Sequence, residues 1–395
     1  MTEKRTTYIA VAIVAVLVVA VLVAAFVLPK EGEASGYTIK ANVNKDCTGT
    51  PFYVGQQIGY FEAYGINFVD QGALDYSLQP TALASGQDDI YDGHPITIIN
   101  LIQGGAKVKG VVMSGYEPDD GNVSKQHMHW LVKGDSPYNT IDDLFTKLDR
   151  KPVIAVLAQG ICADLETMVL LDNAGYSPDQ YEIKKLADPY QEAALLNGEI
   201  DVAVLHPPFY AAAEEHGGVR VLATSMDTLG QFAGTSFLVF TEDFIEKNPE
   251  SVRQFIKAYK DSQRWANDHQ EEAGRLTADT IGLTSAVPHW YSYNGTITDA
   301  DIQPWIDAME KFGLIPEGAF EPSDLYTTEF SDLWTDPVAP QPLNPFNSPT
   351  NRDHGWLNET AGLIAPISSF VEEVLVHADH HSIDEAVVPT IARER

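Results

Sequence analysis

ALASGQDDIYDGHP at residues 82–95 and ALLNGEIDVAVLHP at residues 194–207 share six residues in one register. The shared residues are Ala-Leu, a Gly, an Asp and a final His-Pro, each repeated 112 residues later. Six matches without a gap indicate two copies of one helix–turn–strand unit. We therefore expect two similar lobes with a ligand-binding cleft between them.

The His-Pro end of each copy carries the binding chemistry. We expect His94 and His206 each to follow a strand and to stand at the start of a helix, because proline suits the first helical turn. Ligands of α/β sheets bind beyond the carboxyl ends of the strands, and a helix N-terminus favours an anion or a polar group. An ordinary structural histidine is the alternative at each position.

The two cysteines show nearly the same spacing as the repeat. Cys47 follows the first predicted strand, and Cys162 comes 115 residues later, after a strand of the second lobe. Three interpretations stay open: small residues in strand–helix loops, a disulfide, or a soft-metal site with the ligands Cys47, His94, Cys162 and His206. Apart from that alternative, we predict no metal and no cofactor.

Further cleft candidates lie in loops at the same edge of the predicted sheets. They come from the loop after the first strand, the loop before a predicted helix at Cys162, and the two expected crossings between lobes. The predicted ligand-binding residues are Cys47, Thr48, Thr50, Phe52, His94, Ser114, Tyr116, Gln159, Gly160, Cys162, His206 and Thr235.

Length and charge limit the class of protein. The chain has 395 residues, a hydrophobic content of 44% and a formal net charge of −31. This length suffices for one or two domains with buried cores. The negative charge argues against nucleic acid as a partner, because phosphates attract Lys and Arg, and it favours a well-solvated surface.

An uninterrupted apolar run extends from Tyr8 to Leu28, after Lys4 and Arg5. Its 21 residues, at about 1.5 Å each, match a hydrocarbon core of about 30 Å. The basic residues place the N-terminus in the cytoplasm and the body outside. We expect a retained single-pass anchor in the cell membrane, in preference to a cleaved signal peptide, with the body on the extracytoplasmic side.

Strand and helix patterns alternate from Tyr37 to Thr224, and amphipathic helices follow over residues 249–312. The alternation predicts an α/β fold with a mostly parallel sheet covered by helices. One of the predicted helices spans Phe52–Ala63. Residues 337–349 contain five prolines and indicate an extended linker before a C-terminal extension.

PFYVGQQIGYFEAYGINF at residues 51–68 resembles the opening of the solute-binding proteins of ABC importers for nitrate, sulfonates, taurine and thiamine pyrimidines. The Ala-Leu-x-x-Gly-x-x-Asp of each repeat copy and IDDL at residues 141–144 are also typical of that family. The resemblance covers about residues 37–330. The paired Cys and His residues are not part of the family pattern, and the tail after residue 336 is extra.

The resemblance implies a type II periplasmic-binding fold, whose two lobes close on a ligand like a hinge. Lobe one would hold residues 37–126 and 228–335, and lobe two would hold residues 127–227. Residues 1–36 would form a cytoplasmic stub, the transmembrane anchor and a tether. Residues 336–395 would form the Pro-rich linker and the C-terminal extension.

The resemblance also implies a receptor without enzymatic activity. It would bind a small solute, such as a sulfonate or nitrate, and deliver it to a membrane permease and its ATPase. Two other functions stay open. One is a soft-metal receptor using the Cys2His2 site, and the other is a pyrimidine-precursor binding protein or enzyme, since Cys and His in a cleft suit nucleophilic chemistry.

Overall fold

The strands and helices were traced in a computed structural model, which describes residues 36–335 apart from 77, 119 and 284–288. Within this part no helix combines the length and the apolar character needed to cross a membrane. The run from Tyr8 to Leu28 and the extension after residue 335 lie outside the described residues, so the anchor and the linker stay predictions. All described residues fall within one compact unit, Met1–Pro342.

Strands and helices alternate over most of this range. The strands are β1 (Tyr37–Ala41), β2 (Ile66–Asp70), β3 (Ile90–Gly93), β4 (Val108–Met113), β5 (His129–Lys133), β6 (Val153–Val156), β7 (Glu182–Lys185), β8 (Val202–Leu205), β9 (Val219–Thr224) and β10 (Phe237–Thr241). The helices are α1 (Thr50–Gln57), α2 (Tyr60–Ala63), α3 (Gln79–Ala84), α4 (Pro95–Gln103), α5 (Ile141–Thr146), α6 (Cys162–Asn173), α7 (Asp188–Asn197), α8 (Phe209–His216), α9 (Glu242–Lys247), α10 (Pro249–Asp268), α11 (Gln270–Ile281) and α12 (Asp299–Lys311).

Each sheet takes its strands from one predicted lobe. The residues of lobe one form the parallel pair β1-β2 and a sheet in the order β3-β10-β4. Those of lobe two form a sheet in the order β7-β6-β8-β5-β9. The residue bounds of the two lobes stay predictions.

The prediction of a mostly parallel sheet is wrong for β5 and β10. Strand β5 lies antiparallel to β8 and β9, and β10 lies antiparallel to β3 and β4. Each is the first strand after a crossing between lobes. The crossing reaches the new sheet at the carboxyl ends of its strands, so the next strand must run in the opposite direction.

The repeat builds the same helix end twice. Leu83 and Leu195 are both buried on α3 and α7, with 1% of their surface exposed. Gly86 and Gly198 follow these helices with φ values of +74° and +76°. Glycine adopts this left-handed conformation without steric cost, and it commonly ends helices. The prediction of a shared helix–turn–strand unit is therefore confirmed at its first half.

The repeated aspartates also do the same work. Asp89 Oδ2 accepts a hydrogen bond from the backbone N–H of Lys40 in β1 at 2.9 Å. Asp201 Oδ2 accepts one from the backbone N–H of Val153 in β6 at 2.8 Å. Each carboxylate thereby ties the repeat to the neighbouring strand. The Ala-Leu-Gly-Asp part of the repeat is scaffold.

Two elements differ from the sequence prediction. The helix predicted over Phe52–Ala63 is two helices, α1 and α2, because Gly59 between them has a φ of +90° that ends the first. Strand β10 was not predicted, although it is the central strand of its sheet. Its five residues, FLVFT, are too few to show a clear period beside the long amphipathic helices that follow.

The core of lobe one is a stack of aromatic rings. The ring centroids of Phe52 and Phe68 are 5.4 Å apart, as are those of Phe61 and Phe255. Tyr259 on α10 contacts Phe52 with a centroid distance of 5.0 Å. Such pairs stabilise a core beyond the area that they bury. The structure thus places Phe52 in the core and not at the cleft.

Candidate functional site

A small enclosed cavity lies where the strand ends of both lobes meet. Its volume is about 30 Å³, room for about two water molecules. The lining residues are Asn44, Asp46, Thr48, Tyr76, Tyr91, Asp92, Gly93, His94, Thr97, His127, Leu157, Ile161, Cys162 and His206. We call this space the interlobe cavity. Its position is the one at which α/β sheets bind ligands.

Cys162 is the first residue of α6 and is buried. Its Sγ lies 3.4 Å from Nε2 of His206, and Nδ1 of His206 lies 2.8 Å from Oδ2 of Asp188. Burial raises the pKa of the Cys162 thiol, but the charges of His94 and His206 and their hydrogen bonds outweigh burial and bring it to about 6. Cys162 is therefore largely a thiolate at neutral pH.

The two repeat histidines are held from behind by hydrogen-bond acceptors. Nδ1 of His94 lies 2.7 Å from the carbonyl oxygen of Thr235. In the same way, Nδ1 of His206 is hydrogen-bonded to the Asp188 carboxylate. Burial lowers the pKa of His206, but Asp188 and Cys162 more than reverse this and raise it well above its usual value. The pKa of His94 is also raised, because Cys162 and the Thr235 carbonyl outweigh burial.

His94 and His206 differ in their place relative to the helices. His94 is the N-cap of α4, with Pro95 at the first helical position, as predicted. His206 does not stand at a helix start, because α8 begins only at Phe209. Two prolines follow His206, and a residue that precedes proline is disfavoured in the helical region. The Pro207-Pro208 bond is cis.

His127 lies at the centre of a group of histidine rings. Its ring centroid is 4.4 Å from that of His94 and 5.2 Å from those of His206 and His289. Burial and the charges of these neighbours lower the pKa of His127 well below its usual value. Neither ring nitrogen has a hydrogen-bond partner among the described residues.

Buried carboxyl groups surround these rings. Burial raises the pKa of Asp92 to about 6 and that of Glu117 to about 7. Burial, with the Cys162 charge, raises the pKa of Glu166 well above its usual value. Oε1 of Glu166 lies 3.9 Å from Nε2 of His127. At neutral pH the site therefore mixes protonated and ionised carboxyl groups.

Direct hydrogen bonds join the two lobes around the cavity. The backbone N–H of Cys47 donates to the carbonyl oxygen of Pro207 at 2.9 Å. Nδ2 of Asn100 on α4 donates to the carbonyl oxygen of Gly160 at 2.9 Å. The structure is therefore that of a closed cleft, with strand-end loops in contact.

The two crossings between lobes run side by side. The backbone N–H of Ser114 donates to the carbonyl oxygen of Ser236 at 2.8 Å, and that of Ser225 donates to the carbonyl oxygen of Met128 at 3.0 Å. Two adjacent strands of chain with few other connections form the simplest hinge.

Five of the predicted residues lie at the interlobe cavity or on its wall. Thr48, His94, Cys162 and His206 line it. The Cys47 backbone bridges the lobes beside it, and the carbonyl oxygen of Cys47 accepts a hydrogen bond from the Tyr291 hydroxyl at 2.6 Å. Both cysteines carry free thiols, so the disulfide interpretation is wrong for this structure.

Three predicted residues do not line the interlobe cavity but contact residues at or beside it. Thr235 contributes its carbonyl oxygen to His94. The Ser114 hydroxyl donates to Oδ1 of Asp92 at 2.5 Å, and Asp92 lines the cavity. The carbonyl oxygen of Gly160 takes part in the interlobe contact already described.

Four predicted residues lie elsewhere. Thr50 is fully buried against Thr277, with 2.7 Å between the hydroxyl oxygens, and Phe52 is in the aromatic core. Gln159 is exposed. Tyr116 lines a separate cavity of about 480 Å³ together with Trp290 and Tyr293. These residues follow strands or lie in crossings, but none of them lines the interlobe cavity.

Sequence reasoning missed the cavity residues His127, Asp46 and Tyr76, and it missed Asp188, which contacts His206. His127 lies two residues before the start of β5 at His129. The signal that finds His94 and His206 is the repeat, and His127 has no counterpart in it. The Tyr76 hydroxyl donates to Oδ2 of Asp46, a contact between loops that no local pattern indicates.

A family model described as NMT1/THI5 like matches residues 47–273, more than half of the chain. The chain is 27% identical over 157 residues to the putative aliphatic sulfonates-binding protein of Escherichia coli (strain K12), which covers 40% of this chain and 46% of that protein. It is 32% identical over 125 residues to the taurine-binding periplasmic protein of the same strain, which covers 31% of this chain and 36% of that protein. The chain thus matches less than half the length of either curated relative.

A solved structure, the periplasmic aliphatic sulphonate binding protein SsuA from Escherichia coli, has the same fold. Its TM-score is 0.58 at 20% identity, over 75% of this chain and 99% of that chain. The predicted type II periplasmic-binding α/β fold is therefore confirmed for the described residues. This chain belongs to the NMT1/THI5-like family.

Proposed function

We propose that this chain is the extracytoplasmic solute-binding receptor of an ABC importer, and that it binds a small anionic organic solute between its lobes. The matched relatives are named for binding aliphatic sulfonates and taurine. The proposal extends that class of solute to this chain. The solute is passed to a permease and its ATPase, and residues 8–28 hold the receptor at the membrane.

The observation that carries the proposal is the interlobe cavity itself. Loops from both lobes supply its wall, and hydrogen bonds from Cys47 and Asn100 join the lobes on either side of it. The paired crossings at Ser114 and Ser236 supply a hinge. A solute held there favours the closed state by the difference in its affinity for the two states.

The cavity has room for about two water molecules, which is less than an alkanesulfonate needs. The lobes therefore open to admit the solute and close over it less completely than in the structure described. This adjustment separates the lobes at the cavity wall and leaves the packing within each lobe in place.

Two features suit an anion. The pKa values of His94 and His206 are raised by their hydrogen-bond acceptors and by Cys162, which favours imidazolium at both positions. The start of α6 at Cys162 has no side-chain cap from the described residues, so its first N–H groups face the cavity end of the helix. The nearby carboxyl groups of Asp46 and Asp92 oppose the binding of an anion, so a solute with a single negative charge is favoured over one with more.

One observation favours a second candidate, a thiol-dependent enzyme. The Sγ of Cys162, the ring of His206 and the carboxylate of Asp188 form a continuous chain of contacts at 3.4 and 2.8 Å. A thiolate, a base and an orienting carboxylate in this order suit nucleophilic catalysis. We favour the receptor because the relatives matched by sequence are named as binding proteins.

Calorimetric titration of the full chain in detergent tests the proposal. The solutes are taurine, an alkanesulfonate, nitrate and, as a contrast, an organic cation of the same size as the sulfonate. We expect saturable binding of at least one anion, weakened about tenfold or more in His94→Gln. The matched control is His216→Gln on α8, which removes an exposed histidine paired with Glu192.

Three results contradict the proposal. They are the absence of binding by every anion, equal binding of the cation, and unchanged affinity in His94→Gln. Product formation from a bound solute, followed by mass spectrometry and lost in Cys162→Ser, would replace the receptor with the enzyme.

A further inference from the structure

Three potential metal ligands meet at the interlobe cavity. One ligand atom each from His94, His127 and Cys162 lies within 4.8 Å of the other two, and all three residues are buried. The group spans the cleft, since His94 follows β3, His127 lies in the first crossing and Cys162 begins α6. It differs from the set predicted from sequence, because Cys47 and His206 are replaced by His127.

His94 is oriented as a metal-binding histidine. Its Nδ1 is bonded to the carbonyl oxygen of Thr235 at 2.7 Å, so Nδ1 carries the proton. In the neutral ring the lone pair is then on Nε2, the nitrogen left to face Cys162, and a metal ion that binds there replaces the second proton of the imidazolium. Metal-bound histidines commonly donate their other ring N–H to a carbonyl or carboxylate, which fixes the tautomer and the direction of the ring.

His127 is the independent observation. Only 1% of its surface is exposed, and neither ring nitrogen is hydrogen-bonded to a described residue. Leaving a buried polar group without a partner is costly, and native structures keep such groups mostly where they have a role. The ring lines the interlobe cavity, so a bound ion would satisfy one of its nitrogens.

Cys162 supplies the anionic ligand. Its Sγ is 3.4 Å from Nε2 of His206, and His206 in turn rests on Asp188. This arrangement stabilises the thiolate, the form that binds metal. His206 acts here as a positioning residue that holds the sulfur toward the cavity.

Two acidic side chains of the wall stabilise the charge of a bound cation. Asp46 and Asp92 line the cavity, and its lining contains no Lys or Arg among the described residues. One thiolate with two imidazoles is a ligand set for zinc or copper, whereas magnesium and calcium prefer oxygen. A tetrahedral zinc ion needs ligand atoms about 3.3–3.5 Å apart, so atoms that lie within 4.8 Å of one another need to approach by no more than about 1.5 Å.

We propose that His94, His127 and Cys162 form a three-ligand site for a zinc-class transition-metal ion, whose fourth position opens on the interlobe cavity. The ion joins the two lobes. Three protein ligands and one open position are the arrangement of zinc sites that bind a further ligand. The site depends only on this cluster and not on the identity of the transported solute.

Cobalt titration of the full chain tests this site. The chain is purified in detergent, kept reduced, freed of metal with a chelator and titrated with Co²⁺ in the absence of solute. A thiolate ligand gives a near-ultraviolet charge-transfer band, which Zn²⁺ then removes by displacement. Cys47 and Cys162 are the only cysteines of the chain. The band therefore shows that one of these two thiolates binds Co²⁺, and binding by histidines alone elsewhere in the chain does not produce it.

We expect the band in the unmodified chain and in Cys47→Ser, and its loss in Cys162→Ser. We expect His127→Ala to weaken Co²⁺ binding on the order of 100-fold, and His216→Ala to leave it unchanged.

A band that survives in Cys162→Ser, is lost in Cys47→Ser, or is absent from the unmodified chain overturns the proposal. If circular dichroism shows that Cys162→Ser does not fold, the His127→Ala and His94→Gln titrations decide by the same criterion. Failure of sulfonate binding leaves this result unaffected, so the two proposals are tested separately.

Discussion

Removing the carboxylate of Asp201 tests the conclusion that the repeated aspartates are scaffold. Asp201→Ala abolishes three contacts, two with the Arg150 guanidinium at 2.6 and 2.9 Å and one with the backbone N–H of Val153 at 2.8 Å. The Arg150 side chain is 49% exposed, so water solvates it after the change. The Asp201 carboxylate is buried, but solvent around Arg150 screens the pair, so we assign it about 1 kcal/mol, the upper end for pairs open to solvent.

The backbone N–H of Val153 accounts for most of the cost. A partly buried donor that loses its acceptor costs about 1–3 kcal/mol. We therefore expect Asp201→Ala to lower the free energy of unfolding by about 2–3 kcal/mol. For Asp89→Ala we expect the free energy of unfolding to fall by about 1–2 kcal/mol, because the backbone N–H of Lys40 loses its acceptor. The Lys40 ammonium is 3.9 Å from the Asp89 carboxylate, so the loss of this ion pair adds little.

Differential scanning calorimetry of the full chain measures these effects. One kcal/mol shifts the melting temperature by about 2–4 °C in proteins of 150–250 residues, so a loss of about 2–3 kcal/mol in Asp201→Ala lowers it by roughly 4–12 °C. Asp201→Asn keeps an acceptor oxygen for the backbone N–H of Val153, so its melting temperature should lie between those of Asp201→Ala and the unmodified chain. The matched control, Asp307→Ala on α12, removes an exposed carboxylate bonded to Gln303 and should change the stability by less than about 0.5 kcal/mol. Equal melting temperatures for Asp201→Ala and Asp307→Ala would refute the scaffold role.

Three further predictions concern closure, pH and backbone strain. Asn100→Ala removes a contact with Gly160 that holds the lobes fully closed and should therefore strengthen sulfonate binding about 2- to 5-fold, whereas Asn67→Ala, which removes an exposed bond within lobe one, should leave it unchanged; calorimetric titration compares them. Asp143 has a lowered pKa because its carboxylate accepts a hydrogen bond from the backbone N–H of Asn139 and contacts Lys147. Its stabilisation is therefore complete above about pH 4, the pKa of an unfolded aspartate, and is lost as the pH falls further through the lowered pKa of the folded state, so the lower melting temperature of Asp143→Asn at pH 7 should return progressively toward that of the unmodified chain below about pH 4. Gly59→Ala places a side chain at a φ of +90° and should cost about 1 kcal/mol or more, read as a lower melting temperature; no loss would mean that α1 and α2 can fuse.

The repeat predicted the architecture because its glycines and aspartates determine local structure. Gly86 and Gly198 end helices, and Asp89 and Asp201 hold the next strand, wherever the chain places these units. The direction of β5 and β10 was not predictable in the same way. It depends on where the chain crosses between lobes, and no residue within either strand carries that information.

The candidate site was predictable only in part for a similar reason. His94, Cys162 and His206 follow strands and share the repeat spacing, so their approach to one edge could be inferred. Their partners Asp188, Thr235 and His127 come from a helix start and from both crossings. Asp188 meets His206 within lobe two and Thr235 meets His94 within lobe one, so these contacts are set by tertiary packing and not by local sequence.

The location of the solute is the central claim, and a crystal structure of the chain grown with taurine or an alkanesulfonate tests it most directly. We expect density for the anion between His94 and the start of α6 at Cys162, with the lobes further apart than in the closed cleft described above. Density in the separate cavity of about 480 Å³ beside Tyr116 and Trp290, with the interlobe cavity unchanged, would contradict it.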